Sequence, residues 1–211
     1  MKHAILLDLD GTLWNTTTQV APAWGGVLEK HPGFAGTMTQ TRMQACMGKT
    51  MEQIMAFLMP DVPLEVSVPL GRACCEAEQV YLRKHGAPLY PDLEATLRAL
   101  RKRYALALVS NCQSGYLDAF LDYFGFADLF DDWETYGATG LSKGANIRLV
   151  MERNGYERAL YVGDTQGDCD AAREAGVPFV HAAYGFGEVD AADAVLHTLS
   201  ELPAAAQALL G

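Results

Sequence analysis

The chain has 211 residues, half of them hydrophobic and 20% charged, with a formal net charge of −10. That length suits one large domain, or a core plus a small insertion, with a sizeable interior. The acidic balance argues against a broad nucleic-acid-binding surface, and no apolar run approaches the roughly 20 residues that span a bilayer.

The first element is a strand near 3–9, whose apolar run Ala4-Ile5-Leu6-Leu7 leads into Asp8-Leu9-Asp10-Gly11-Thr12. Side chains two apart on a strand point the same way. Two carboxylates held that close repel unless a proton or cation lies between them, so the spacing predicts a hard, oxygen-liganded ion such as Mg2+. It also suits an aspartate nucleophile. The competing reading is a hairpin, because Asp-Gly between apolar residues is a strong turn signal.

Between 15 and 88 the pattern changes. Helices are expected near 19–30, 38–47, 51–58 and 69–85, with no clear strand. Six Lys/Arg balance six Asp/Glu there, so the remainder of the chain carries the whole −10. Gly48-Lys49-Thr50 looks like the tail of a phosphate-binding loop, but residue 43 is Met where the leading glycine belongs and no strand precedes it. A helix stop at Gly48 and a capping box from Thr50 to Gln53 account for it better. Met43, Met47, Met51, Met55 and Met59 recur every four residues. Most are expected to pack internally, some to line an adaptable substrate surface. Pro88 and Pro91 mark a hinge after this segment.

Beyond residue 91 strands and helices alternate. Helices are expected near 92–103, 113–123, 143–154, 167–175 and 199–210, and strands near 105–109, 159–162, 177–182 and 193–196. Alternation of this kind argues for an α/β fold, a doubly wound parallel sheet with right-handed crossovers. The second strand ends in Ser110-Asn111, and the third in Gly163-Asp164, with Asp168 four residues on. Lys143 opens the helix to Asn154. Asp131, Asp132 and Glu134 read as a solvated loop, and Thr198-Leu199-Ser200-Glu201 as a capping box that opens the last helix. The five cysteines are odd in number and lack a C-x-x-C pair, which predicts reduced thiols in a cytoplasmic protein. One lysine and a short apolar run ending in Asp8 make a poor signal peptide.

Each polar group follows the C-terminal end of an expected strand, the edge where open parallel sheets bind ligands. Carboxylates, a hydroxyl and an ammonium gathered there fit phosphoryl transfer.

On these motifs the chain resembles the haloacid dehalogenase superfamily, in its phosphatase branch with a helical cap after the first motif, phosphoglycolate phosphatase-like. D-x-D-x-T is matched by Asp8, Asp10 and Thr12, the strand-end hydroxyl by Ser110, the lysine by Lys143, and G-D-x-x-x-D by Gly163, Asp164 and Asp168. The resemblance implies an α/β Rossmann-like core of residues 1–14 and 89–211 and a helical cap of residues 15–88. It implies Asp8 as nucleophile and metal ligand, and Asp10 as acid, then base, ligating the metal through its carbonyl. Lys143 neutralises charge, and Thr12, Ser110 and the Asn111 backbone belong to phosphate binding. Asp164 ligates Mg2+, and Asp168 orients the metal and its waters. Asp10 also implies a phosphate ester over a halide, since a C–halogen bond needs no leaving-group proton. Lys49 is a candidate reader of the substrate's far end, because the loop at about this point of similar caps faces the site; the alternative reading is a solvated surface lysine.

Two positions depart from the commonest pattern: Ser142-Lys143-Gly144 replaces Lys-Pro, and Asn15 stands where related phosphatases often carry an acid. The expected function is a Mg2+-dependent phosphatase of a small phosphorylated metabolite, with no nucleic-acid or membrane partner, as a monomer or small homo-oligomer. The alternatives are a phosphomutase of the same superfamily and a signalling or catalytically silent binding module.

Overall fold

A computed structural model describes residues 2–31 and 38–211. Six strands form one parallel sheet: β1 (His3–Leu7), β2 (Ala105–Ser110), β3 (Asp132–Thr135), β4 (Arg158–Gly163), β5 (Phe179–Ala182) and β6 (Ala194–Leu196). Their order is β3-β2-β1-β4-β5-β6. The chain builds outward from β1 to one side, then returns to its other side at β4. Leu7 therefore lies between Leu108 and Val162. Such a reversal of strand order opens a crevice beyond the strand ends, and Asp8 and Asp164 follow the two strands that border it.

The inner strands β1, β2, β4 and β5 are buried on both faces, which explains their near-continuous apolar runs. Ile5 and Leu7 of β1 join one hydrophobic cluster, Ala4 and Leu6 the other, with the period of two that a strand imposes. The Ala4/Leu6 face is covered by α8 (Lys143–Asn154) and α9 (Gln166–Ala175), through Ile147, Val150, Ala171 and Ala172. The opposite face is covered by α5 (Leu93–Leu100), α6 (Tyr116–Phe124) and α10 (Leu202–Leu210). A four-residue helix, α7 (Tyr136–Thr139), links β3 to α8.

Between β1 and α5 lie α1 (Thr17–Leu28), α2 (Gln40–Gln44), α3 (Met51–Leu58) and α4 (Leu64–His85). Val20, Trp24, Met55, Cys74 and Leu82 of these helices join the same cluster as Ile5 and Leu7. The two connectors of this segment pair with each other. Asn15 N–H donates to Pro88 O (2.9 Å), and Tyr90 N–H donates to Leu13 O (3.0 Å).

Several expectations need correction. The stretch 131–134 is not a solvated loop throughout, because 132–135 forms the edge strand β3. Asp132 and Glu134 are two apart and so share a face, where Arg153 of α8 binds both, at 2.6 and 2.7 Å. The capping box at Thr198 does not form: Glu201 accepts from the backbone N–H of His197 instead (2.8 Å), and a 3-10 turn over Leu199–Glu201 precedes α10. Pro203 sits in the first turn of α10, where its missing N–H costs nothing. The helix expected from 69 begins at Leu64 and carries Pro69 inside it, and that expected over 38–47 shrinks to Gln40–Gln44. The capping box at Thr50 is present, with its N–H donating to Gln53 Oε1 (3.0 Å). No helix among the described residues is long and apolar enough to cross a membrane.

Candidate active site

Three buried carboxylates and one buried ammonium meet at the crevice. Asp8 is 2% exposed, Asp164 and Asp168 are fully buried, and Lys143 is 5% exposed. Lys143 Nζ donates to Asp8 Oδ1 (3.1 Å) and Asp168 Oδ1 (2.5 Å). Burial opposes its charge, but the Asp168 and Asp8 carboxylates outweigh that and hold its pKa well above the ordinary lysine value. Asp168 works twice. Its Oδ2 accepts from Thr165 N–H (3.0 Å) and Oγ1 (2.6 Å) at the start of α9, while Oδ1 takes the lysine. A helix N-terminus welcomes that negative charge.

Asp8, Asp164 and Asp168 can each offer one oxygen within 4.8 Å of the others. Burial pushes Asp8 up to about 7, with the Asp168 and Asp10 charges adding to it and Lys143 opposing. Asp164 is likewise raised, by burial and then by its acidic neighbours. Its Oδ2 accepts from Phe186 N–H (2.7 Å), while its buried Oδ1 has no hydrogen-bond partner. An orphaned carboxylate oxygen among mutually repelling acids fits a hard divalent cation, and the donors are all oxygens, as Mg2+ requires. Two glycines leave room for this carboxylate. A Cβ on Gly11, whose φ is +82°, would stand 2.1 Å from Asp164 Oδ2, and one on Gly185 2.3 Å from Asp164 Cβ.

The Asp10 side chain lies outside this cluster. Its Oδ1 accepts from Thr16 Oγ1 (2.8 Å) and Tyr116 Oη (3.0 Å). Burial pushes its pKa up to about 6, against the hydrogen bonds from Thr16 and Tyr116. Thr16 and Tyr116 thus share one oxygen, and the Trp14 side chain also favours the ionised carboxylate.

Asp8, Asp10, Ser110 and Asn111 line a cavity of about 640 Å³ beneath α1–α4. The Asn111 side-chain amide donates to Gly48 O (2.9 Å), tying the end of β2 to the loop before α3. Lys49 also lines the cavity; it is exposed, and its Nζ donates to Ala45 O (2.8 Å). Met43, Met47 and Met51 line the cavity, while Met55 and Met59 are buried in packing. Thr12 is fully buried and is not among the lining residues; its carbonyl accepts from Tyr184 Oη (2.9 Å). Asn15, at the position that departs from the usual acid, caps locally by accepting from Thr17 N–H (3.1 Å) and Oγ1 (2.7 Å).

Sequence reasoning missed Thr16, Tyr116, Glu78 and the Gly185-Phe186 turn. Thr16 carried a weak signal, a hydroxyl residue at the start of α1. Tyr116, Glu78 and Phe186 carried none, because each reaches the site only through tertiary packing.

A model of haloacid dehalogenase-like hydrolases matches residues 5–182. A phosphoglycolate phosphatase of Vibrio vulnificus is 28% identical over 193 residues, 86% of this chain and 84% of that protein. A haloacid dehalogenase-like hydrolase from Bacteroides fragilis superposes with a TM-score of 0.84 at 24% identity, covering 96% of this chain and all of that one. CbbY from Rhodobacter sphaeroides, solved with xylulose-(1,5)bisphosphate, gives 0.79 at 21% identity over 96% of both chains. The match embraces both sides of the crevice and everything between them, and the chain belongs to the haloacid dehalogenase-like hydrolases, in their phosphatase branch.

Proposed function

We propose that the protein is a Mg2+-dependent phosphatase that hydrolyses a small phosphate monoester through an aspartyl-phosphate on Asp8. The observation that carries this reading is the placement of Asp8: it directly follows β1, lines the cavity, and is held by Lys143 through one oxygen only. The lysine occupies Oδ1, which leaves Oδ2 to attack phosphorus. Lys143 offsets charge as the phosphoryl group approaches, and Ser110 with the Asn111 backbone holds its oxygens. Asp8, Asp164, Asp168 and the Asp10 carbonyl would hold Mg2+, which when bound neutralises the phosphoryl oxygens and relieves the repulsion among the acids. Asp10 Oδ2 gives its proton to the leaving oxygen, then takes one from the water that hydrolyses the acyl phosphate.

Residues 15–88 act as a cap that selects the substrate and excludes water. Its paired connectors at Asn15–Pro88 and Leu13–Tyr90 serve as the hinge. Lys49 and Arg72 line the cavity as cations, which favours a substrate with a second anionic group. The names of the relatives, one acting on phosphoglycolate and one holding a bisphosphate, fall within that class.

The test is phosphate release from a panel of phosphorylated metabolites, with Mg2+ and with EDTA, by the wild-type protein and by Asp8→Asn. Asparagine matches the shape of aspartate but cannot form the acyl phosphate, so turnover should vanish in a folded protein. EDTA should abolish the wild-type rate and Mg2+ restore it. Near wild-type turnover by Asp8→Asn would exclude the covalent route, and full activity in metal-free buffer would exclude the metal.

A further inference from the structure

The cavity over the crevice is larger than a short ester needs. At about 640 Å³ it matches clefts that enclose drug-sized ligands, whereas phosphoglycolate adds only a short acid to its phosphate. The wall from residues 15–88 is apolar and rich in sulfur. Met47, Met51 and Ile54 are half-buried in it, with the buried thiols of Cys46 and Cys75. Gly71 of α4 lets that wall stand back. A Cβ there would lie 2.4 Å from Met51 Sδ and 2.7 Å from Met55 Sδ, so any side chain would displace both thioethers. The core contributes Tyr136, the first residue of α7, beside Gly137 and Gly140.

The lining is polar at three points. Glu52 Oε2, Asn111 Oδ1 and Gln113 Nε2 belong to lining residues, are buried, and have no hydrogen-bond partner in the protein. Two acceptors and one donor left open among apolar neighbours call for a ligand with donors and acceptors of its own. Glu78 adds little charge. Its Oε2 accepts from the Trp24 indole N–H (2.6 Å), and burial raises its pKa to about 8, so it is mostly protonated at pH 7. A short acid or polyol could answer the polar points but would leave the thioether wall without a partner. A planar heterocycle answers both, with its faces toward sulfur and an aromatic ring and its edge toward the polar atoms.

We infer that the alcohol part of the substrate carries a planar heteroaromatic ring with a hydrogen-bonding edge, so that nucleoside monophosphates are the class this cavity takes. The inference rests on the reading of the site as a phosphatase. Hydrolysis breaks the ester P–O bond, the nucleoside oxygen leaves with a proton, and the oxygen of water ends on phosphorus as inorganic phosphate. A second anion, where the substrate has one, lies beyond the ring toward the exposed Lys49 and Arg72.

The experiment measures kcat/KM by phosphate release, with Mg2+, on adenosine and uridine 5′-monophosphate, ribose 5-phosphate and phosphoglycolate. Ribose 5-phosphate keeps the ester and the sugar and lacks the base. At least one nucleotide should be preferred over both smaller esters by about tenfold or more, the worth of stacking one base. Calorimetry on the Asp8→Asn protein with Mg2+ should give the same ranking in Kd without turnover. Tyr136→Ala removes a ring face, and Gly71→Ala crowds the Met51 thioether. Each should raise KM for the preferred nucleotide about five- to tenfold and change ribose 5-phosphate by less than about twofold. A ranking led by ribose 5-phosphate or phosphoglycolate, equal values for all four, or variants that affect nucleotide and ribose 5-phosphate alike would overturn the inference and leave the phosphatase reading standing. If no ester is turned over, the phosphatase reading fails. The calorimetric ranking then decides by itself whether the cavity takes a ring: tighter nucleotide binding supports it, and equal or weaker binding overturns it.

Discussion

The crevice and the helical segment above it handle charge in opposite ways. At the crevice, Asp8, Asp164, Asp168 and Lys143 are crowded together out of water, and most of their polar atoms are committed to one another or to backbone N–H groups. In residues 15–88 the charges balance, the cavity wall is rich in methionine, and Lys49, Arg72 and Glu76 reach it from exposed positions. Rigid strand ends suit a reaction that tolerates little misplacement. Adaptable side chains suit the selection of a substrate. The comparison teaches that substitutions below should remove turnover, while those above should redistribute it among substrates.

The largest effect expected on this basis comes from Lys143→Met. It removes the cation from between two buried carboxylates, so kcat should fall on the order of a thousandfold on every ester. Thermal unfolding should also show a loss of stability, about 3–5 kcal/mol for breaking a buried pair from one side. A variant with normal kcat would show that the lysine only supports the fold.

Asp164→Asn comes next. It removes one charge from the proposed ligand set while keeping the shape that Gly11 and Gly185 accommodate. The Mg2+ concentration for half-maximal activity should rise by roughly tenfold or more, as loss of an anionic ligand implies. A Mg2+ titration that superimposes on the wild type would place the ion elsewhere.

Above the crevice, Lys49→Ala should raise KM for the best substrate with a second anion and leave p-nitrophenyl phosphate nearly unchanged. A charge-assisted hydrogen bond is worth roughly 1.5–3 kcal/mol, but Lys49 is exposed, so the low end, about tenfold in kcat/KM, is expected. The same loss on both substrates, or none on either, would assign Lys49 to the solvated surface.

The smallest effect concerns stability. Glu78 is raised by burial from its ordinary 4.5 to about 8 in the folded protein. Between those values the folded state holds a proton that the unfolded chain has released, so folding loses stability as pH rises across that window. The contribution is complete below about 4.5 and gone once pH passes about 8. Glu78→Gln never ionises, so its Tm relative to wild type should be higher at pH 8 than at pH 5, by roughly 3 °C or more. A pH-independent difference would mean that Glu78 is already charged in the fold.

The two regions also differ in how much of them the sequence disclosed. The strands that carry Asp8, Ser110 and Asp164 are continuous apolar runs, and the polar residue after each is where the run stops, so order and placement follow from local pattern alone. β3 escaped notice because Asp-Trp-Glu-Thr has no apolar run; Arg153 arrives from α8 to bind its two acids. The donors on Asp10 escaped for a related reason. Tyr116 is 106 residues away, and nothing in its neighbourhood distinguishes it from an ordinary aromatic in the helix core. In the 15–88 segment α4 starts at Leu64, before the expected 69, and runs through Pro69. Residues that meet their partners along the chain could be read; those that meet them across it could not.

The pairing of Asn15 with Pro88 and of Tyr90 with Leu13 brings entry and exit of the helical segment side by side. A module attached at two adjacent points can be exchanged without stretching the scaffold that bears it. A short turn from residue 14 to residue 89, or a helical segment from another member of the family, could be spliced there with the sheet left in register. The splice would have to cover Trp14, which is fully buried and stacks edge-on against Tyr116, Phe120 and Phe124. That one indole sets the design rule for transplanting specificity: any incoming segment needs an apolar underside shaped to fit it.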